Sequence, residues 1–257
     1  GLAATREQIE ALSPLPSDAD LDQLRSDGRA DLAAALIERF GGELYPTWTV
    51  TSPFWYCSEL WRFEDLMILM TTRPGIVEYA CQRFSQSVAH AVRQAAIVGA
   101  AGVWIEECFT DLISPDLFEV INLPLVTALV EEIRLAGMKS IYYYCGNPSD
   151  RWQLLLKAGA DALALEESKK DFRIDIEEVV KQVDGRCVVL GNLDAIGVLQ
   201  DGTEKELRNE IARQLAAGRQ NGGRFIMSLG SPVTPETPPE RVRRYCELVR
   251  EISSSHR

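Results

Sequence analysis

Histidine is nearly absent from this chain. Among 257 residues only His90 and His256 occur, although imidazole is the usual side chain for proton transfer near neutral pH. His90 falls midway along a predicted helix and His256 is penultimate in a Ser-rich tail, so neither marks a pocket. The chemistry must rest on carboxylates, thiols, tyrosines or a cofactor. Clustered basic charge is lacking as well. A net charge of −11 argues against nucleic acid and anionic membrane, because phosphate binding needs converging Lys and Arg. No run of about eighteen apolar residues appears, so no transmembrane helix is expected. The N-terminus lacks the charged, apolar and small-residue order of a signal peptide. The six cysteines include no CxxC pair and no compact spacing. They therefore do not read as a disulfide framework, and reduced thiols in a cytoplasmic protein are expected.

What is present is an ordinary globular composition, 46% hydrophobic and 25% charged. A short helix is predicted near 6–12, then a linker to a turn at Asp27 and Gly28. A helix over 29–40 is stopped by Gly41 and Gly42. From there the pattern alternates. Strands are predicted at 44–50, 102–106, 140–144, 161–165, 187–190 and 224–228. Helices are predicted at 63–71, 75–98, 123–136, 150–157, 176–183, 204–217 and 239–252, and Ser114 with Pro115 opens a further one. Strand and helix in alternation argue for a parallel sheet with helices outside it. Six βα units are visible where a closed (β/α)8 barrel needs eight. Residues 1–40 form a helical segment leading into a barrel domain over 41–257.

Barrel active sites gather at the C-terminal ends of strands. The stretch KSIYYYCGN, residues 139–147, places Cys145 and Asn147 at such an end; Cys145 is equally readable there as a small buried residue. The same face should collect Cys57, Glu59, Glu106, Glu107, Cys108, Glu166, Glu167, Asn192, Asp194 and Ser231. Several carboxylates at one mouth raise some of their pKa values, which suits acid/base work, a metal, or a cationic substrate. Glu106, Glu166, Asp194 and Cys145 are the catalytic candidates. Glu107 and Glu167 are expected to turn to solvent. Cys57, Cys108 and Cys145 with a glutamate could form a metal site, unless Cys57 and Cys108 face the core. Cys81, Cys187 and Cys246 read as packing. Phe54, Trp55, Tyr56, Trp61 and their aromatic neighbours either wall a pocket or fill the core.

The strand ends carry a run of motifs that together resemble the uroporphyrinogen decarboxylase superfamily, which also holds corrinoid-dependent methyltransferases. The pieces are Ser52, Pro53 and Phe54; Ile113 to Phe118 with Pro124; Cys145, Gly146 and Asn147; and Gly191 to Asp194. Asp201 to Thr203, Asn221 to Gly223 with Phe225 and Ile226, and Pro235 to Pro238 complete the run. The resemblance implies a (β/α)8 barrel in which segment 44–50 is the third strand. The first two strands would lie upstream of Gly1, with the arginine-rich segment and aspartate that decarboxylases use. It also implies a zinc site built from His-x-Cys at the fifth strand and Cys at the eighth. Here those positions are Tyr143, Cys145 and Ser231, so two of three ligands are replaced by poor ones. The catalytic Tyr and His of the decarboxylases fall near Glu59 and Ser231. The leading expectation is a methyltransferase-type enzyme using a corrinoid methyl carrier on a partner protein, with a homodimer as a further partner state. Asn147, Tyr143, Glu59, Asn192 and Ser231 would touch the small methyl donor or acceptor. Competing readings are a porphyrinogen decarboxylase and a barrel that binds without turnover.

Overall fold

The structure is a computed structural model that describes residues 5–168 and 171–254, so His256 lies outside it. Six strands form one parallel sheet in chain order: β1 (Thr47–Thr51), β2 (Gly102–Glu107), β3 (Lys139–Tyr144), β4 (Ala162–Leu165), β5 (Val188–Leu190) and β6 (Phe225–Ile226). Thr47 sits opposite Gly102 and Thr51 opposite Glu106, while Leu163 faces Val189 and Leu190 faces Ile226. The predicted α/β alternation is present. β1 begins later than the apolar pattern suggests, because Pro46 has no N–H to give a ladder and Leu44 and Tyr45 stay exposed.

The chain divides into two compact units, one holding residues up to 142 together with 153–160, the other 143–152 and 161 onward. In the first unit, α1 (Arg6–Leu12), α2 (Asp18–Ser26) and α3 (Asp31–Phe40) precede β1. α2 occupies a stretch expected to be linker. Its acidic residues hide a helix start, since the Ser17 N–H donates to the Asp20 carboxylate at 3.1 Å. Its Leu24 then buries beside Ala30 and Val98.

After β1 come α4 (Pro53–Trp61), α5 (Phe63–Thr72) and the long α6 (Pro74–Val98). Ser52 accepts from the Trp55 N–H and Pro53 takes the first helical position, so α4 starts directly at the strand end. Phe54, Trp61, Leu66, Val77 and Ala80 are fully buried among these three helices. α7 (Pro115–Leu117) runs through a π-helical turn, Phe118–Asn122, into α8 (Leu123–Leu135), which packs on α6. The wide turn is absent from the apolar periodicity; such turns often accompany functional positions.

The second unit takes α9 (Trp152–Lys157) only at its first residue, and holds α10 (Ile176–Val183), α11 (Glu204–Gln220) and α12 (Pro239–Ser254). Leu193, Leu199, Leu207, Ile211 and Leu248 form its core. A second π-helical segment, Ala195–Gln200, follows β5, and the Arg241 guanidinium of α12 donates to the carbonyls of Val198 and Gly202 at its far end. Gly218 on α11 lets the helix rest against the Phe225 ring, where any Cβ would clash. Among the described residues, no helix is long and apolar enough to cross a membrane.

Candidate active site

In the first unit, β2 ends in two adjacent glutamates that face different surroundings, as strand alternation requires. Glu106 is half-buried, and partial loss of solvent raises its carboxyl pKa. Glu107, expected in solvent, is fully buried. The Ser52 hydroxyl donates to its Oε1 at 2.7 Å. The Asn122 amide and the Tyr142 hydroxyl donate to Oε2 at 2.7 and 3.2 Å. These three donors favour the carboxylate, but desolvation outweighs them and lifts the pKa to about 7. Three donors far apart in sequence explain why a charged residue belongs here: Glu107 ties the ends of β1 and β3 and the π-helical turn to β2. Asn122 Oδ1 is buried without a partner beside it.

Cys108 follows, half-buried, and Phe109 then adopts a left-handed backbone at φ 68°. That conformation costs a non-glycine residue about 1–3 kcal/mol and is held here by ring contacts with Trp55 at 5.9 Å and Phe63 at 5.6 Å. Trp55 and Phe63 therefore shape this strand end, while Phe54 and Trp61 belong to the core. Cys57 does not join a metal set as proposed from the sequence. Its thiol is fully buried between α4 and α6, 3.4 Å from Cys81 Sγ. Glu59 projects from α4 into solvent and lines neither described cavity.

The second unit gathers most of the remaining candidates. Tyr143 is buried, and its hydroxyl donates to the Gly230 carbonyl at 2.7 Å. Burial, followed by the Cys145 thiol and the Glu166 and Glu167 carboxylates, holds its phenol far above the usual range. Glu167, also expected in solvent, is buried and accepts from Ser231 Oγ at 2.7 Å. Gly230 carries no Cβ because the Glu167 backbone passes against it. Glu166 is buried too, and the Asn192 amide donates to its carbonyl at 3.1 Å and to that of Ile174 at 2.9 Å. Asn192 thus braces the ends of β4 and β5. Asp194 Oδ1 accepts the N–H groups of Ile196 and Gly197 at 2.9 and 2.8 Å, capping the π-helical segment.

A cavity of about 520 Å³ opens beside these groups, lined by Glu167, Asn192 and Asp194. Asp175, Glu177 and Glu210 add three more carboxylates against Arg173 and Arg213. Arg213 is occupied by Glu210 at 2.8 Å and Asp175 at 3.3 Å. The cavity is left acidic. A second cavity of about 760 Å³ reaches Asn147, whose Oδ1 accepts the Ser149 N–H at 3.0 Å. The zinc set implied by the resemblance does not fit these residues. The hydroxyls of Tyr143 and Ser231 are both spent as donors, and a phenol held so far from ionisation is no ligand.

Six parallel strands in chain order with helices between them, ending in buried carboxylates, a thiol and an amide, define the class as an α/β fold of barrel type. The chain belongs to the uroporphyrinogen decarboxylase (URO-D) family, whose profile matches residues 3–252. A uroporphyrinogen decarboxylase of Desulfotalea psychrophila is 27% identical over 191 residues, 74% of this chain and 53% of that protein. One from Gloeobacter violaceus is 24% identical over 257 residues, covering 97% of this chain and 70% of the other. In solved structures, a methyltransferase from Methanosarcina mazei shares the fold with a TM-score of 0.76 at 18% identity, over 87% of this chain and 64% of that one. The chain spans about half the length of the first curated relatives it matches.

Proposed function

We propose that this chain belongs to a methyl-transferring enzyme acting on a small neutral or cationic methyl donor or acceptor, with a corrinoid on a partner protein as methyl carrier. The observation that carries this reading is the acidic cavity of the second unit. Its carboxylates suit a cationic or neutral guest and oppose a porphyrinogen, which brings many carboxylates of its own. About 520 Å³ accommodates a small molecule and not a corrin macrocycle, so the corrinoid would be presented from outside. Bound there, it would supply an electrophilic methyl group. Asn147 lines the adjoining cavity, which shares Arg173, Ile174, Asp175 and Glu177 with this one; from there Asn147 and Cys145 would orient the guest, and Tyr143 would hold the Cys145 side through its bond to Gly230. Within this unit Glu166, next to the cavity-lining Glu167, would exchange protons with the guest, Asn192 braces the Glu166 backbone, and Ser231 positions Glu167. Asp194 would add charge through the oxygen its cap leaves open.

The test is spectroscopic. Methylcobalamin is mixed with the protein and a panel of small thiols and amines, and cobalt demethylation is followed by absorbance. Wild type should demethylate it with at least one acceptor, and Cys145→Ala should slow the reaction at least about tenfold. No demethylation with any acceptor would overturn the reading. Decarboxylation of a porphyrinogen is the second reading, favoured by the printed names of the curated relatives. Carbon dioxide release from a porphyrinogen would establish it; the acidic cavity predicts none.

A further inference from the structure

The functional reading leaves one chemically active pair unused. Cys57 lies in the middle of α4 and Cys81 in the second turn of α6, 24 residues apart in sequence. Their sulfurs are 3.4 Å apart and both residues are fully buried. Cys57 Sγ also rests 3.7 Å from the Pro53 carbonyl, the contact of a thiol held in one rotamer within its own helix. We propose that Cys57 and Cys81 form a modification site, a buried dithiol that a hydroperoxide converts to an intrachain disulfide joining α4 to α6.

Disulfide sulfurs lie about 2.0 Å apart, so closure needs roughly 1.4 Å of approach between side chains already in contact. Simple packing would place each thiol against carbon, as a small hydrophobe. Here the two sulfurs face each other across a helix interface. Burial also keeps the pair inert while closed, because it pushes the Cys57 thiol well above its ordinary range and only thiolates react. Reaction therefore waits on opening of α4. That helix ends at Arg62, whose φ of 62° and ψ of 159° lie in a region L-residues avoid. Its start is held by Ser52, bonded to Glu107. The strained end is the one that gives way.

In the exposed state one thiolate attacks a peroxide oxygen. The O–O bond breaks, water leaves, and a sulfenic acid remains. The second thiol then attacks that sulfur, the S–O bond breaks, and another water departs. Two thiols and one hydrogen peroxide become a disulfide and two waters, with the peroxide reduced by two electrons. The new bond pins α4, and through Ser52 the end of β2.

The experiment treats the full chain with hydrogen peroxide, alkylates remaining thiols in denaturant, and maps tryptic peptides by mass spectrometry. Cleavage after Arg62 puts the two cysteines in different peptides, the Cys81 peptide running from Phe63 to Arg83 because the Arg73–Pro74 bond resists trypsin. The expected product joins the Cys57 and Cys81 peptides, weighs about 2 Da less than the two free thiol peptides together, and reverts with dithiothreitol. Dilute urea should accelerate its formation, and Tm should rise by about 5–10 °C. Cys57→Ala and Cys81→Ala should each abolish the link while leaving Cys108 and Cys145 alkylatable. Links confined to other cysteines, sulfinic acid at Cys57 without a link, or six intact thiols would each overturn the proposal. The wild-type peptide map decides even where a variant fails to fold.

Discussion

The substitution Glu107→Gln tests how the protein tolerates a carboxyl group sealed in its first unit. The folded pKa is about 7 against an ordinary 4.5. Below pH 4.5 both folded and unfolded chains hold this proton and it contributes nothing to pH dependence. Between 4.5 and 7 the unfolded chain releases the proton while the folded chain keeps it. Stability therefore falls as pH rises, by at most about 1.4 kcal/mol per pH unit. Above pH 7 both forms are ionised and the accumulated loss levels off at about 3 kcal/mol. The substituted amide cannot ionise, and it can meet the unpartnered Asn122 Oδ1 once the Asn122 side chain turns over. The variant should match wild type within about 1 kcal/mol at pH 4.5 and exceed it by about 2–4 kcal/mol at pH 8. Urea unfolding of both proteins at half-unit steps from pH 4.5 to 8 gives the difference curve. A curve flat within about 0.5 kcal/mol, or one falling with pH, would refute the assignment of a raised pKa to this carboxyl.

Three further substitutions probe the packing behind the site. Gly230→Ala should cost about 1–3 kcal/mol, because its methyl meets the Glu167 backbone and carboxyl; thermal unfolding measures this, and an unchanged Tm would show that the strand ends are looser than described. Tyr143→Phe should cost about 1 kcal/mol by removing the bond to the Gly230 carbonyl, read by urea midpoint. Trp61→Ala should cost about 3–5 kcal/mol, since the whole side chain is buried between helices; soluble protein of near wild-type stability would contradict that placement.

Much of the scaffold was legible in the chain. The helix at 176–183 has the predicted bounds, because its apolar period is strong and Asp175 marks its start. The strand ends near 106, 145, 166 and 191 were readable as well, since each apolar run stops at polar or turn residues; the last strand, read over 224–228, spans only Phe225–Ile226. What stayed hidden was the direction in which each side chain points. Glu106 and Glu107 are neighbours of one type, and nothing local tells which is buried. The choice is made by Ser52, Asn122 and Tyr142, whose donors come from 55, 15 and 35 residues away. The same holds for Cys57, which sequence spacing grouped with strand-end thiols but helix packing turned toward Cys81. The two π-helical turns shift register by a single residue, too small a change for periodicity to reveal. The sequence alone determined the family, the order of strands and helices, and the chemical types at the strand ends, because those rest on local pattern. Tertiary structure alone decided which carboxylates are desolvated, which hydroxyls are already spent, and that the second unit's cavity is acidic, because burial and hydrogen bonding depend on residues distant along the chain.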